Sequence, residues 1–322
     1  MQATNRGAWQ ARLALMLIFG VAAAACVAML MWWKAPAASG QEEPSPTGAN
    51  FVVRCAFSHR EKVDPIVSPG PSGTPSFHMH DFFGNTTTDS DSTFESLRAA
   101  ASRSDHGTTC EPRPGTTFGD TAAYWIPKVS WKDSRRTTAL KASQTFFYYR
   151  AGLKNPADVQ PYPALDTNGD GQVDDGLKIV TEQGKNVQWR CLNGTWSPTP
   201  PTQCSNGKLA LRIFFPDCLQ EDANGPLLDS ADHRSHMVDA GSAGCPSNYI
   251  PVPRLQTNFQ FPIPTTRGKV KLSSDHQGDP PGSTMHADFF NAWQEGKLED
   301  LVARCINAGP FTARNPKPQD CL

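Results

Sequence analysis

The chain has 322 residues and a formal net charge of -1, room for one large domain or two small ones, with no basic field to attract nucleic acid. Hydrophobic residues make up 38%, and glycine and proline number 25 and 28, a balance that argues against a helical bundle and for short strands joined by turns.

Residues 1–12 are polar and carry Arg6 and Arg12; Leu13 to Trp33 then runs 21 residues without a charge. At 1.5 Å per residue a helix of that length spans a hydrocarbon core of about 30 Å. A cleaved signal peptide has a shorter apolar core of about 7–15 residues. The expectation is therefore an uncleaved transmembrane anchor over 13–33. By the positive-inside rule, 1–12 is cytoplasmic and the rest lies outside the cell membrane. Secretion after signal cleavage is the alternative. Residues 34–50, rich in Pro, Ala, Ser and Gly, read as a flexible linker, and 51–322 as the extracytoplasmic globular domain.

Of nine cysteines, Cys26 sits in the apolar run. The other eight, an even count, predict four disulfides and an oxidising compartment. Pairing neighbours in sequence joins Cys55 to Cys110, Cys191 to Cys204, Cys218 to Cys245 and Cys305 to Cys321, one of about 105 connectivities.

Phe51 to Cys55 reads as a first strand, and Asp64-Pro65-Ile66-Val67 as a turn-bounded extended piece. Thr93 to Ala101 predicts a short helix with Ser92 or Thr93 as its cap. Tyr124 to Pro127, Gln144 to Arg150, Leu177 to Val180 and Val187 to Cys191 read as strands, and Leu209 to Phe215 as a buried one. Val252 to Phe261 is extended, with Pro251 and Pro253 confining its start to an edge, and Val270 to Leu272 is short. Asn291 to Cys305 has helical spacing. The fold class expected is α+β and β-rich: a single disulfide-stapled extracytoplasmic domain with a few short helices behind one N-terminal transmembrane helix.

Three stretches concentrate imidazoles and carboxylates: His78-Met79-His80-Asp81, Asp232-His233-Arg234-Ser235-His236, and His286-Ala287-Asp288. The first continues as Phe82-Phe83 and the third as Phe289-Phe290, an echo offset by one residue. On a strand, His78 and His80 share a face, as do His286 and Asp288. Imidazole with carboxylate suits a transition metal such as Zn, Mn or Fe(II), able to activate water. Without metal, two carboxylates serve as acid and base for glycoside cleavage. The candidate catalytic residues are His78, His80, Asp81, Asp232, His233, His236, His286 and Asp288. The bland reading is buried rings bonded to backbone carbonyls and aspartates capping turns. Gly-x-Ser-x-Gly and His-Glu-x-x-His are absent, which excludes those hydrolase and zincin motifs.

Asp166, Asn168, Asp170, Gln172 and Asp174 fall at positions 1, 3, 5, 7 and 9 of an EF-hand-type loop with Gly171 at 6. Position 12 is Leu177 rather than glutamate, so a Ca2+ ion over 166–177 would be modestly held and structural. The plain alternative is an acidic surface turn. Of the tryptophans after residue 50, Trp125, Trp131, Trp189, Trp196 and Trp293, most are expected in the core, with any on a cleft wall free to stack on sugar.

Asp64-Pro65-Ile66-Val67, the run from His78 to Asn85, Ala123 to Pro127, Tyr148-Tyr149-Arg150, Ser230 to Met237, Cys245-Pro246, Pro251-Val252-Pro253 and His286 to Trp293 occur in that order. Together they resemble a secreted domain-of-unknown-function (DUF) family of actinobacteria and fungi, in fungi sometimes beside WSC carbohydrate-binding domains. The resemblance covers essentially all of 51–322 and implies an extracellular or wall-associated protein without supplying a mechanism. The segment 166–176 departs from it as an insertion. The function expected is a cell-envelope or extracellular glycan-active hydrolase using the His/Asp clusters. The alternatives are a non-catalytic glycan-binding or wall-sensing module with structural histidines, and calcium-dependent adhesion.

Overall fold

Alternation builds the first sheet. In Gln144–Arg150 every second side chain is buried, so Phe147 and Tyr149 face inward while Phe146, Tyr148 and Arg150 stay half-exposed. The computed structural model describes residues 48–111, 119–318 and 321. We number the strands of its two large sheets β1 (Asn50–Cys55), β2 (Phe57–Glu61), β3 (His80–Gly84), β4 (Cys110–Glu111), β5 (Ala123–Pro127), β6 (Gln144–Arg150), β7 (Lys178–Val180), β8 (Val187–Cys191), β9 (Lys208–Phe214), β10 (Arg254–Pro262) and β11 (Asp288–Phe290). One sheet has six strands in the order β8-β9-β10-β6-β1-β4, the other five in the order β7-β11-β5-β3-β2, and every pairing is antiparallel.

The sheets meet through aromatic side chains. Phe83 of β3 lies 4.9 Å from Phe259 of β10, and Tyr124 of β5 lies 4.4 Å from Phe147 of β6, ring centre to ring centre. These rings, with Phe289, Leu211 and Leu255, form the main core. Burying such rings is the largest favourable contribution the chain makes. The outer face of the five-stranded sheet carries a second, smaller cluster. There Phe82, Trp125 and Phe290 are covered by Val63, Ile66 and by Phe94 and Leu97 of helix α1 (Phe94–Ala99). Helix α1 starts where expected, because Thr93 and Ser96 cap it reciprocally.

The four disulfides are Cys55–Cys110, Cys191–Cys204, Cys218–Cys245 and Cys305–Cys321. They fit an oxidising, extracytoplasmic setting. β10 begins at Arg254, after both prolines, and so sits in the middle of its sheet rather than at an edge.

Two expectations are corrected. The α+β assignment gives way to a β architecture: α1 and α2 (Lys297–Val302) have six residues each, because the two sheets cover each other and need no helical layer. The helical spacing over 291–305 yields α2 and one π turn, Ala303–Asn307. The single-pass placement in a cell membrane is also withdrawn. No helix among the described residues is long and apolar enough to cross a membrane, and a six-residue helix reaches only about 9 Å. The segment 13–33 on which that expectation rested, like 1–12 and 34–47, lies outside the described residues.

Candidate metal centre

Strand alternation sorts the first motif. On β3, His80 and Phe82 point to the outer face, and Asp81 and Phe83 to the opposite one. On β11, Asp288 and Phe290 take the outer face and Phe289 the core. Between them β5 places Trp125, in register with Phe82 on one side and Asp288 on the other. His78 enters just before β3 and His286 just before β11. Asp64 comes from the turn after β2, where its Oδ1 accepts the amides of Ile66 and Val67 at 3.0 and 2.9 Å.

Five side chains from three distant segments thus converge. The rings of His78 and His80 are 4.3 Å apart, those of His78 and His286 5.1 Å, and those of His80 and His286 6.2 Å. The donor atoms of His78, His80 and His286 lie within 4.8 Å of one another, as do those of Asp64, His80 and Asp288. His80 belongs to both groups. Its Nε2 is 3.9 Å from Asp64 Oδ2, and His286 Nε2 is 3.8 Å from Asp288 Oδ2.

Hydrogen bonding fixes how the rings are presented. His80 Nδ1–H donates to the Val63 carbonyl and His286 Nδ1–H to the Thr284 carbonyl, each at 2.9 Å, which leaves both Nε2 atoms as lone-pair donors. Nε2 of His78, Nε2 of His80 and both oxygens of Asp288 are buried without a hydrogen-bond partner. Orphaned polar atoms of this kind are costly, and these belong to the groups that could hold a metal ion.

The electrostatics agree. Burial pushes His78 and His286 down to about 4 and His80 well below its usual value, so all three are neutral near pH 7. Burial, reinforced by the charge of Asp64, pushes Asp288 well above the carboxylate range. Asp64 is raised by burial too, with the amides of Val67 and Ile66 and the Trp125 indole N–H moderating the rise. Neutral imidazoles beside two carboxylates that resist joint ionisation form a set of donor atoms that could hold a cation. The rim is charged: Lys62 and His276 act on His78, and Arg234 on His286 and Asp288. Phe77, next to His78, is 86% exposed.

The other candidates stand elsewhere. Asp81 is gripped by Arg60, Nε to Oδ1 at 2.5 Å and Nη2 to Oδ2 at 2.9 Å, on the face turned away from the histidines. Asp232, His233 and His236 form a loop over β7. His236 Nε2–H donates to the Lys178 carbonyl at 2.7 Å and its Nδ1 lies 2.8 Å from Ser230 Oγ, so neither nitrogen is left for a metal. His233 Nδ1–H donates to Asp229 at 2.9 Å, and Asp232 accepts the amides of Arg234 and Ser235, which hold its carboxyl well below the usual range. That loop positions Arg234 rather than ligating. Sequence reasoning missed Asp64, Trp125 and Arg234. The signal for Asp64 was its place in a motif, which Asp-Pro turn chemistry masked.

Asp166, Asn168, Asp170, Gln172 and Asp174 lie in an exposed loop between the short strands Ala164–Leu165 and Asp175–Gly176. The carboxylates of Asp166, Asp170 and Asp174 and the Asn168 side chain accept from the loop's own amides, as in a self-capped turn. A further cluster, Cys55, Cys110 and Asp120, is no cation site, because its sulfurs form a disulfide. A family model described as Domain of unknown function (DUF1996) matches residues 64–293, so it runs from Asp64 through Asp288 and takes in every residue of the centre. No curated protein and no solved structure matches the chain.

Proposed function

The chain belongs to the DUF1996 family, a domain of unknown function, and we propose, from the chemistry of the centre and its rim, that it is a metal-dependent hydrolase acting on extracellular glycan. The observation that carries this reading is the convergence of unpartnered donor atoms: Nε2 of His78 and His80 and both oxygens of Asp288, beside His286 and Asp64. Three neutral imidazoles suit a divalent ion such as zinc, with Asp288 or Asp64 completing the shell. Such an ion, held by these residues, would supply an activated water at neutral pH. A carboxylate not used as a ligand would serve as the base. Asp64 is the better base, because the amides of Ile66 and Val67 hold it from its other oxygen. The glycan part of the reading is supported by the rim. Phe77 presents an open ring beside His78, apt for a sugar's C–H face, and Arg234 and Lys62 offer donors to hydroxyls or acidic groups.

Elemental analysis of the purified protein, with isothermal titration of the chelator-treated form by Zn2+ and Mn2+, tests the metal. The expected result is one transition ion per chain, lost in His80→Ala and in Asp288→Ala. If the stripped protein takes up neither ion, the metal reading is wrong. Release of reducing ends from envelope polysaccharides by the loaded protein, absent in Asp64→Asn with its metal intact, tests the hydrolysis.

A further inference from the structure

The fold buries a lysine amine against a carboxylate at a place the metal centre does not use. Lys154 lies in the turn after β6, and Asp217 lies between β9 and the strand Cys218–Asp222. Their side chains are 2% and 0% exposed, and Lys154 Nζ donates to Asp217 Oδ2. Lysine is almost never buried this completely. Withdrawing an ammonium and a carboxylate from water costs about as much as their attraction returns, so stability alone is weak ground for such a pair.

Asp217 is held from its other sides. Its amide donates to the Val238 carbonyl at 3.1 Å, its carbonyl accepts the Val252 amide at 3.1 Å, and its Oδ1 accepts the Ala240 amide at 2.8 Å. Its neighbour Cys218 is bonded to Cys245. The carboxylate is therefore fixed with Oδ2 toward the amine, and the Ala240 N–H polarises its Cγ. The lysine turn closes down over Gly152, whose φ is 66°. A Cβ there would lie 2.7 Å from Asp217 Oδ2 and 3.1 Å from Lys154 Nζ, so the missing side chain at Gly152 is what lets the two groups meet. Lys154 also lines a surface cavity of about 500 Å³ with Asn155, Asp158, Cys245 and Tyr249, a way out for a released water.

We infer that Lys154 and Asp217 condense into an intramolecular isopeptide bond, a covalent brace between the end of β6 and the root of the segment that carries Arg234. Nζ attacks Cγ and the new N–C bond forms. The Cγ–Oδ2 bond then breaks, and Oδ2 leaves as water with two of the ammonium protons. An ammonium and a carboxylate thus become one secondary amide and one water, with charge balanced and no oxidant or other reactant consumed. Oδ1 becomes the amide oxygen and keeps the Ala240 N–H, which also stabilises the negative charge that Oδ1 carries while Cγ is tetrahedral. Fixed contact between the reacting groups supplies what a dilute amine and acid lack. The product removes both buried charges, and with them the cost of keeping them from water. Unlike the four disulfides, the bond withstands reductant.

Mass spectrometry of the full-length protein, reduced, alkylated and digested with trypsin, tests this. The expected product is one branched peptide in which 151–178, uncut at Lys154, is joined to 213–234 and is lighter than their sum by one water. Lys154→Arg and Asp217→Ala should give only linear peptides. The intact reduced wild type should be lighter than Lys154→Arg by one water beyond the substitution itself. His80→Ala should carry the same branched peptide, which separates the bond from the metal centre. Cleavage after Lys154 in the wild type together with a linear 213–234 peptide, or a loss of water that maps to any other pair of residues, would overturn the inference.

Discussion

Asp120 offers a test of the fold's buried electrostatics. Its carboxyl is enclosed beside the Cys55–Cys110 disulfide, where Oδ1 accepts the Ala122 amide at 3.1 Å and Oδ2 the Tyr124 hydroxyl at 2.7 Å. Tyr124 lies 2.5 Å from the Tyr149 hydroxyl, which accepts from the Trp293 indole N–H at 3.1 Å. Burial pushes Asp120 from 3.8 up to about 7, more than these bonds pull it down. Below the unfolded value both states hold the proton. Between the two values the folded state holds it and the unfolded state has released it, so stability falls as pH rises and levels off above about 7. At about 1.4 kcal/mol per pH unit, the loss across that window is roughly 4 kcal/mol. Asp120→Asn removes the proton and the slope, at a cost of about 1 kcal/mol for rearranging the hydroxyl chain. Urea unfolding followed by tryptophan fluorescence, wild type beside variant, isolates the term because other groups cancel in the difference. The variant should be less stable by about 1 kcal/mol near pH 4 and more stable by about 3 kcal/mol near pH 8. A difference that does not change with pH refutes the reasoning.

Two further outcomes follow from the centre and its surroundings. Arg60→Ala leaves Asp81 buried without its partner and should cost about 3–5 kcal/mol in unfolding free energy, while metal content by elemental analysis stays that of the wild type; loss of the ion would place Asp81 in the site after all. Burial holds His78 and His286 at about 4, below the usual imidazole value, so protons compete with the ion only in acid. Equilibrium dialysis should find metal retained at pH 5.5 and released as pH falls through about 4, and release already near pH 6.5 would show the imidazoles to be solvated.

Parts of this architecture were legible and parts were not, for physical reasons. Short strands, the four disulfides and helix α1 follow from local chemistry: turn residues, an even cysteine count and a Thr93 cap. The run Phe146-Phe147-Tyr148-Tyr149 hides its own alternation, because rings occupy both faces of β6: Phe147 and Tyr149 in the core, Phe146 and Tyr148 half-exposed on the outer side. The helical spacing over 291–305 is realised only in its second half, as α2 and the π turn Ala303–Asn307, while 291–296 runs as irregular chain from the end of β11. His233 and His236 look like ligands in sequence, yet each gives its donor to a structural partner. Whether a histidine faces a carbonyl or an open cavity depends on long-range register, which spacing does not encode.

The two echoing motifs show how far one residue of register reaches. Phe83 and Phe289 both align with Tyr124 and fill the core, while Phe82 and Asp288 both align with Trp125 on the outer face. In the first motif the acid directly follows its histidine, so Asp81 turns inward to Arg60 while His80 faces the centre. In the second the acid comes two residues after its histidine, so His286 and Asp288 arrive on the same side. That offset supplies the centre with one carboxylate from the pair of motifs. The second carboxylate has to come from elsewhere, and Asp64, anchored by its own turn, fills that place. The aromatic pairs are thus the clamps of the centre: their inward rings lock β3 and β11 to the same strand, and that lock sets which imidazoles and which carboxylates meet.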